Sequence, residues 1–225
     1  MTDNPATLPD TAATTEEAAD RPAASRGRFG VSILAVCTVL ALLIGAAAGY
    51  LVPLLARPGD TSADAGFLRD MSNHHAQAVE MAMIAHAGTT VPDIRTLATD
   101  IALTQHGQVN IMQTWLRDWD LSPTGTQPPM AWMPGAAGSV RDGLMPGMAT
   151  QAQMDALRAA TGRQLDVQFL TLMRQHHLGG IHMAQEIVDV SDNDDVTWIA
   201  GTMVSTQQGE LTVIADLLTT LKATT

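Results

Sequence analysis

Two adjacent histidine pairs carry the clearest chemistry in this chain of 225 residues. His74-His75 lies in Phe67-Leu-Arg-Asp-Met71-Ser-Asn-His74-His75-Ala-Gln-Ala78-Val-Glu80-Met81-Ala82. His176-His177 lies in Phe169-Leu-Thr-Leu-Met173-Arg-Gln-His176-His177-Leu-Gly-Gly180-Ile-His182-Met183-Ala184, 102 residues further on and without a gap. On a helical wheel Met71, His74, His75, Ala78, Met81 and Ala82 share one face, and Met173, His176, His177, Gly180, Met183 and Ala184 share its counterpart. Glu80 and His182 fall on the opposite, solvent side. Each pair therefore straddles an apolar seam. Imidazole suits copper and zinc, and thioether selects Cu(I). Adjacent residues on a helix point about 100° apart, so a metal bound here needs ligands from neighbouring helices as well. The competing reading is a hydrogen-bonded core of His with Gln and Glu, because a buried polar group without a partner costs roughly 1–3 kcal/mol.

The metal candidates are His74, His75, His176 and His177 with Met71, Met81, Met173 and Met183. Met81 and Met183 follow His74 and His176 by seven residues, close to two turns, on the same side. A methionine stripe at this spacing also serves as core filler. A Pro/Gly-rich connector has no evident core, so Met130, Met133, Met145 and Met148 form a secondary set, with Trp132 placed to stack on a bound cation. His86 and His106 have no repeat counterpart and are secondary too. Gln105, Gln108, Gln207 and Glu210 sit at the level of the His pairs as supporting groups, and Asp64 and Asp166 are counted with them. Ordinary imidazoles would release a metal as pH falls through about 6.5.

The elements that must position these residues are helices. The repeat spans about 64–118 and 166–220; Thr104-Gln105 matches Thr206-Gln207, and Leu116 matches Leu218. A unit of that length cannot bury its own apolar face. Each reads as a helical hairpin: helices over about 62–87 and 92–118, then 164–189 and a helix ending near 221. Ser62 is a candidate cap, and Pro92-Asp93 suits a first turn. Thr150 caps a short helix to about 160. Residues 120–149 form the connector, with five Pro and five Gly. The expected fold is all-α, a four-helix bundle over 60–225 in which both His pairs lie at mid-height and make a polar layer.

With 12 Lys and Arg against 23 Asp and Glu, the net charge of −11 excludes nucleic acid as a partner. The single cysteine, Cys37, rules out a disulfide within the chain and a thiolate metal cluster. Residues 1–28 read as a disordered cytoplasmic tail. Val31 to Ala56 carries no charge. As a helix it is roughly 39 Å long, enough to cross a bilayer core of about 30 Å. Residues 29–56 are thus expected to be a transmembrane anchor in contact with the lipid bilayer. Three arginines before the span and one just after it place the N-terminus in the cytoplasm and the bundle outside. Secretion after cleavage near Ala46-Ala47-Ala48 is the alternative.

At these residues the chain resembles the domain of unknown function 305 family, secreted or membrane-anchored bacterial proteins of the CopM type. The family pattern is Asp-x-x-Phe, Met-x-x-His-His, Ala-x-x-Met-Ala, then a helix with Gln, Glu and a late Trp-Leu. Asp64, Phe67, Met71, His74, His75, Ala78, Met81 and Ala82 match it, as do Asp166, Phe169, Met173, His176, His177, Met183 and Ala184. Gln105, Trp115, Leu116 and Glu210 match the second helix. Gln108 departs from the Glu often found there, and Gly180 from the Ala. The resemblance covers about 60–220 and implies a ferritin-like fold of two helix-pair repeats, with copper binding in some members.

Three functions follow as expectations. The first is a copper-binding protein of the envelope, Cu(I) favoured and zinc the alternative, that buffers, sequesters or hands the ion to a donor or acceptor protein. The second is a structural or partner-binding module with a His/Gln core. The third, a ferritin-like di-metal oxidase, needs inward carboxylates from several helices; only Glu210 faces in, so no enzyme activity is expected. The gapless repeat makes one physical prediction: neither half folds alone. A peptide of residues 60–120 should show no cooperative thermal unfolding as a monomer, and a sharp transition would contradict the reading.

Overall fold

A computed structural model describes residues 26–55, 57–136 and 138–223 of the chain, without side-chain description for 26–29 and Pro53. Residues 1–25 of the expected tail lie outside the described residues. The chain divides into two compact units, Met1–Ala56 and Arg57–Thr225. All regular elements among the described residues are helices: α1 Arg26–Leu55, α2 Ala63–Gly88, α3 Pro92–Asp118, α4 Gln151–Ala159, α5 Gly162–Val190 and α6 Asp194–Ala223.

In the first unit α1 starts at Arg26, so Arg26 and Arg28 belong to the helix and not to the tail. Its segment Gly30–Val52 is long and apolar enough to cross a membrane, and none of it is buried.

In the second unit α2, α4 and α6 begin where a side chain supplies an acceptor for their free N–H groups, while α3 and α5 have no side-chain cap. The Ser62 hydroxyl accepts from the Ala65 N–H at 3.2 Å. α3 opens on Pro92 with Asp93 in its first turn. Thr150 and Gln153 form a reciprocal capping box on α4. Asn193 Oδ1 accepts from the N–H groups of Asp195 and Val196 at the start of α6. α2 packs along α3, α5 along α6, and α2 also along α5.

The apolar core is split in two. One half joins Ala78, Met81, Ala82 and Ala85 of α2 to Ile94, Leu97 and Ile101 of α3, Leu165, Phe169 and Met173 of α5, and Ile214 of α6. The other joins Phe67, Leu68 and Met71 to Met112 and Leu116, to Met183 and Ile187, and to Val196, Ile199 and Met203. Late α2 thus meets early α5, and early α2 meets late α5, so these helices run antiparallel. The His pairs lie at the crossover between the halves.

The connector between α3 and α4 is laid against α2 by side-chain hydrogen bonds. Arg69 donates to the Asp60 and Ser122 carbonyls and pairs with the Asp60 carboxylate. Asp70 accepts from the Met130 N–H at 2.7 Å and the Trp132 indole N–H at 2.9 Å. Burial pushes the Asp70 carboxyl above its ordinary range, and the two N–H donors oppose that shift. Gln77 donates to the Ala149 carbonyl at 2.9 Å and accepts from its N–H at 2.7 Å. The connector ends in close contact with α5: a Cβ on Gly179 would lie 2.0 Å from the Pro146 carbonyl oxygen.

That approach predicts the effect of one methyl group. Gly179→Ala should lower stability by roughly 1–3 kcal/mol in urea unfolding, because the added carbon cannot coexist with the Pro146 carbonyl. Gly209→Ala, where a Cβ meets nothing within 4 Å, should raise stability by about 0.5–1 kcal/mol. Equal effects at the two sites would contradict the packing.

Candidate functional site: a buried histidine layer

His74 and His75 sit midway along α2, and His176 and His177 midway along α5. Two antiparallel helices bring such positions to one level. The His74 and His176 rings face each other with centroids 3.8 Å apart, tilted by 37°. All four imidazoles are buried, none more than 1% exposed. The outer ring of each pair is bonded to the following helix at the same sequence distance. His75 Nε2 is 2.8 Å from Gln108 Oε1, and His177 Nε2 is 2.6 Å from Glu210 Oε2. His74 Nε2 is 3.0 Å from the Pro146 carbonyl oxygen.

These bonds fix where the protons are. A carbonyl or carboxylate oxygen only accepts, so His74, His75 and His177 each donate from Nε2. That leaves Nδ1 of each as a bare lone pair. None of the three Nδ1 atoms has a hydrogen-bond partner in the protein, and neither does His176 Nε2. The same holds for both amide atoms of Gln105 and for Gln207 Oε1, both residues being buried in α3 and α6. An acceptor on one imidazole nitrogen with the other left open is how metal-binding histidines are held. The donor set therefore fits a soft or borderline metal ion. Among the described residues, however, no three of His, Cys, Asp and Glu are drawn together as a cage for one.

Burial also keeps the rings of His74, His75 and His176 neutral. Loss of solvent pushes His74 down to about 4 and His75 to about 3, with neighbouring imidazoles adding to the shift. His176 is pushed well below its ordinary value for the same reason, loss of solvent first and the other three rings after it. The expectation of ordinary imidazoles titrating near 6.5 is corrected here. A second proton does not reach the His74 or His75 ring in the folded protein until the solution is far more acidic.

The other candidates fall at distinct places. Met71 and Met183 lie in one core half, Met81 and Met173 in the other. The premise that the connector has no core is overturned. Met130, Met133 and Met145 are buried beside Met71, Met112, Met183 and Met203, and the half-buried Met148 packs against them. The 102-residue repeat relates Met112 and Met203 of this half to Ile214 and Ile101 of the other, so the methionines are concentrated at one end. Trp132 packs its ring edge-on to Phe67 at 5.5 Å and gives its N–H to Asp70. His86 bonds to Thr99 at 3.0 Å, and His106 is exposed. Asp64 and Asp166 do not support the layer. They lie ten residues before the histidines, about 15 Å along the helix. Asp64 accepts from the Ser191 hydroxyl at the end of α5. Asp166 is buried near the start of α5.

Sequence reasoning missed Pro146, Gly147, Gly179 and Gly180. A Cβ on Gly180 would lie 2.7 Å from Gln207 Oε1 and 3.3 Å from His74 Cε1, which is why the Ala78 counterpart is glycine here. A Gly-Gly pair in mid-helix is costly on its own; that cost was the available signal of a close approach.

The buried neutral rings make stability depend on pH. Unfolded, these histidines titrate near 6.5. Below that value the unfolded chain binds more protons than the folded one, so stability is full above it and falls as pH drops toward about 4 for His74 and about 3 for His75. Near pH 5 unfolding should take up about two to three protons, read from the slope of urea stability against pH. A flat profile between pH 7 and 5 would contradict the burial of neutral imidazoles.

Comparison with known proteins supports a family assignment. Residues 64–218 match the family described as Domain of unknown function (DUF305). No curated protein matches. Among solved structures, "putative secreted protein DUF305" from Streptomyces coelicolor is 44% identical with a TM-score of 0.66, covering 72% of this chain and 94% of that one. A DUF305 fragment from Deinococcus radiodurans is 30% identical with a TM-score of 0.59, covering 72% and 98%. CopM in its Cu(II)-bound form is 22% identical with a TM-score of 0.54, covering 71% and 97%; at that identity the likeness is one of fold. The chain belongs to the DUF305 family.

Proposed function

We propose that this chain is a membrane-anchored, extracytoplasmic copper-binding protein that buffers, sequesters or transfers the ion, built as a ferritin-like bundle of two duplicated hairpins. The observation that carries the reading is the set of unpartnered imidazole nitrogens in the layer: Nδ1 of His74, His75 and His177, and Nε2 of His176. Each would be costly in an empty core, and a bare Nδ1 beside a donating Nε2 is the form of imidazole that binds a metal without first losing a proton. Glu210 and Gln108 would hold His177 and His75 in that tautomer. The methionine-rich half beside the layer supplies thioethers, which favour Cu(I) over zinc. CopM, the distant structural relative, is known in Cu(II)-bound and Cu(I)-bound forms. The apolar length of α1 supports anchoring, with a cleaved signal as the alternative.

One observation favours a second reading, a structural or partner-binding module. No three of His, Cys, Asp and Glu among the described residues form a ready cage. Three of the four rings already have a hydrogen-bond partner. Copper binding would then require thioethers or Gln105 and Gln207 to complete the ligand set, or a shift of the helices.

Titration of the full chain in detergent with Cu(I), Cu(II) and Zn(II) separates the readings. Copper should bind in a fixed ratio. Because burial holds His74 to about 4 and His75 to about 3, binding should persist as pH falls from 7.5 to about 5.5. His75→Ala with His177→Ala should abolish binding at the layer and leave a helical fold. Undiminished binding by that double variant would refute the metal reading.

A further inference from the structure

The layer is buried on every side, so an ion bound there needs a way in. On the α3–α6 side, the half-buried Gln108 and Glu210 stand between the outer rings and solvent. On the α2–α5 side the cover is not helical. It is the connector turn Met145-Pro146-Gly147-Met148. The Pro146 carbonyl takes the His74 proton donor, and Gly147, at a φ of 81°, lies directly on α5. A Cβ on Gly147 would come within 2.4 Å of the Gln175 carbonyl oxygen and 3.1 Å of the His176 Cα. The cover is therefore seated on the stacked inner pair, His74 and His176.

Its hydrogen-bonded hold on the rest of the protein is narrow, although Met145 is packed in the core. Beside the His74 bond, the turn is tied down by Gln77, whose side-chain amide makes two hydrogen bonds with Ala149. Releasing the turn breaks these bonds and leaves α2, α3, α5 and α6 unbroken. Opening on the other side would require moving packed helices or side chains bonded to the outer rings. The turn also carries a thioether on each side of Pro146-Gly147. Met148 is half-buried, and Met145 is 6% exposed. They grade from solvent toward the core beside the layer.

We infer that the Met145–Met148 turn is the door of the histidine layer and a relay for Cu(I), latched by Gln77. The inference rests on the layer being the copper site. In the relay, Met148 and then Met145 bind the incoming ion. Displacing the turn frees the His74 Nε2–H from Pro146 and uncovers His176 Nε2. Cu(I) then exchanges thioether sulfur for imidazole nitrogen. No electron is transferred and no proton need be lost, because a neutral ring offers its lone pair.

The test has a metal-free arm and a copper arm, both on the full chain in detergent. Diethyl pyrocarbonate acylates an exposed imidazole lone pair, and mass spectrometry locates the label. Gln77→Ala removes the latch without touching a ligand. It should raise the labelling rate of His176 about tenfold, because the turn loses both hydrogen bonds that tie Ala149 to α2 and opens more often. Labelling of His176 unchanged from wild type overturns the latch whether or not copper binds. In the copper arm, Cu(I) is presented by a chromogenic chelator under anaerobic conditions. Gln77→Ala should speed both uptake and release while leaving the number of bound ions unchanged. Met145→Leu with Met148→Leu should slow uptake at unchanged stoichiometry. A fall in the number of ions would make those thioethers a terminal site and overturn the relay. Unchanged rates in both variants would route the ion past Gln108 and Glu210. A wild-type chain that takes up no copper while Gln77→Ala still exposes His176 would refute the copper reading and the relay but keep the latch.

Discussion

Four imidazoles enclosed at one level between two apolar half-cores constrain everything else in this protein. A neutral imidazole has one donor and one acceptor nitrogen, and neither is cheap to bury alone. The protein satisfies the donors of three rings with Gln108, Glu210 and the Pro146 carbonyl. It leaves the acceptors bare. Core packing cannot produce that pattern by itself, because apolar side chains at the same positions would pack without orphaned atoms. The layer thus trades stability for a set of lone pairs held in a water-poor site. The depressed pKa values of His74, His75 and His176 are the electrostatic face of the same constraint.

The antiparallel pair α2 and α5 makes the layer and the connector makes it asymmetric. By repeat position His74 and His176 are equivalent, yet Pro146 bonds to one and leaves the other open. Likewise His75 meets a neutral amide and His177 a carboxylate at the same offset. The apolar halves differ too, with Met112 and Met203 where the other half has Ile214 and Ile101, and with three buried connector methionines on the same side. The layer therefore has a methionine-rich end and a face covered by the connector.

Much of this was legible in the sequence because it depends on periodicity. The helices of the second unit, the Thr150 cap and the level of the His pairs follow from 3.6-residue spacing and a gapless repeat. Helix ends were within a few residues of the expected ones. What escaped depends on chain segments without period. Nothing in Met145-Pro-Gly-Met148 announces that its backbone caps His74, since a carbonyl carries no sequence signature. The connector methionines look free of any core in the sequence because their partners come from four separate helices. Asp64 and Asp166 recur at the repeat spacing like the histidines, yet they lie ten residues away along their helices and so at another height. Gly179-Gly180 is the unread signal: two costly helical glycines, one against the connector backbone at Pro146 and the other against the Gln207 and His74 side chains.

The central claim is that the bare imidazole nitrogens are metal ligands. X-ray absorption spectroscopy of the copper-loaded full chain addresses it most directly, because ring carbons behind a coordinated nitrogen scatter in a recognisable outer-shell pattern. Coordination by the layer gives that pattern from more than one imidazole, with thioether sulfur in the first shell of the Cu(I) form. A first shell of sulfur alone, without imidazole outer-shell scattering, would place the ion among the methionines and contradict a metal role for the histidine layer.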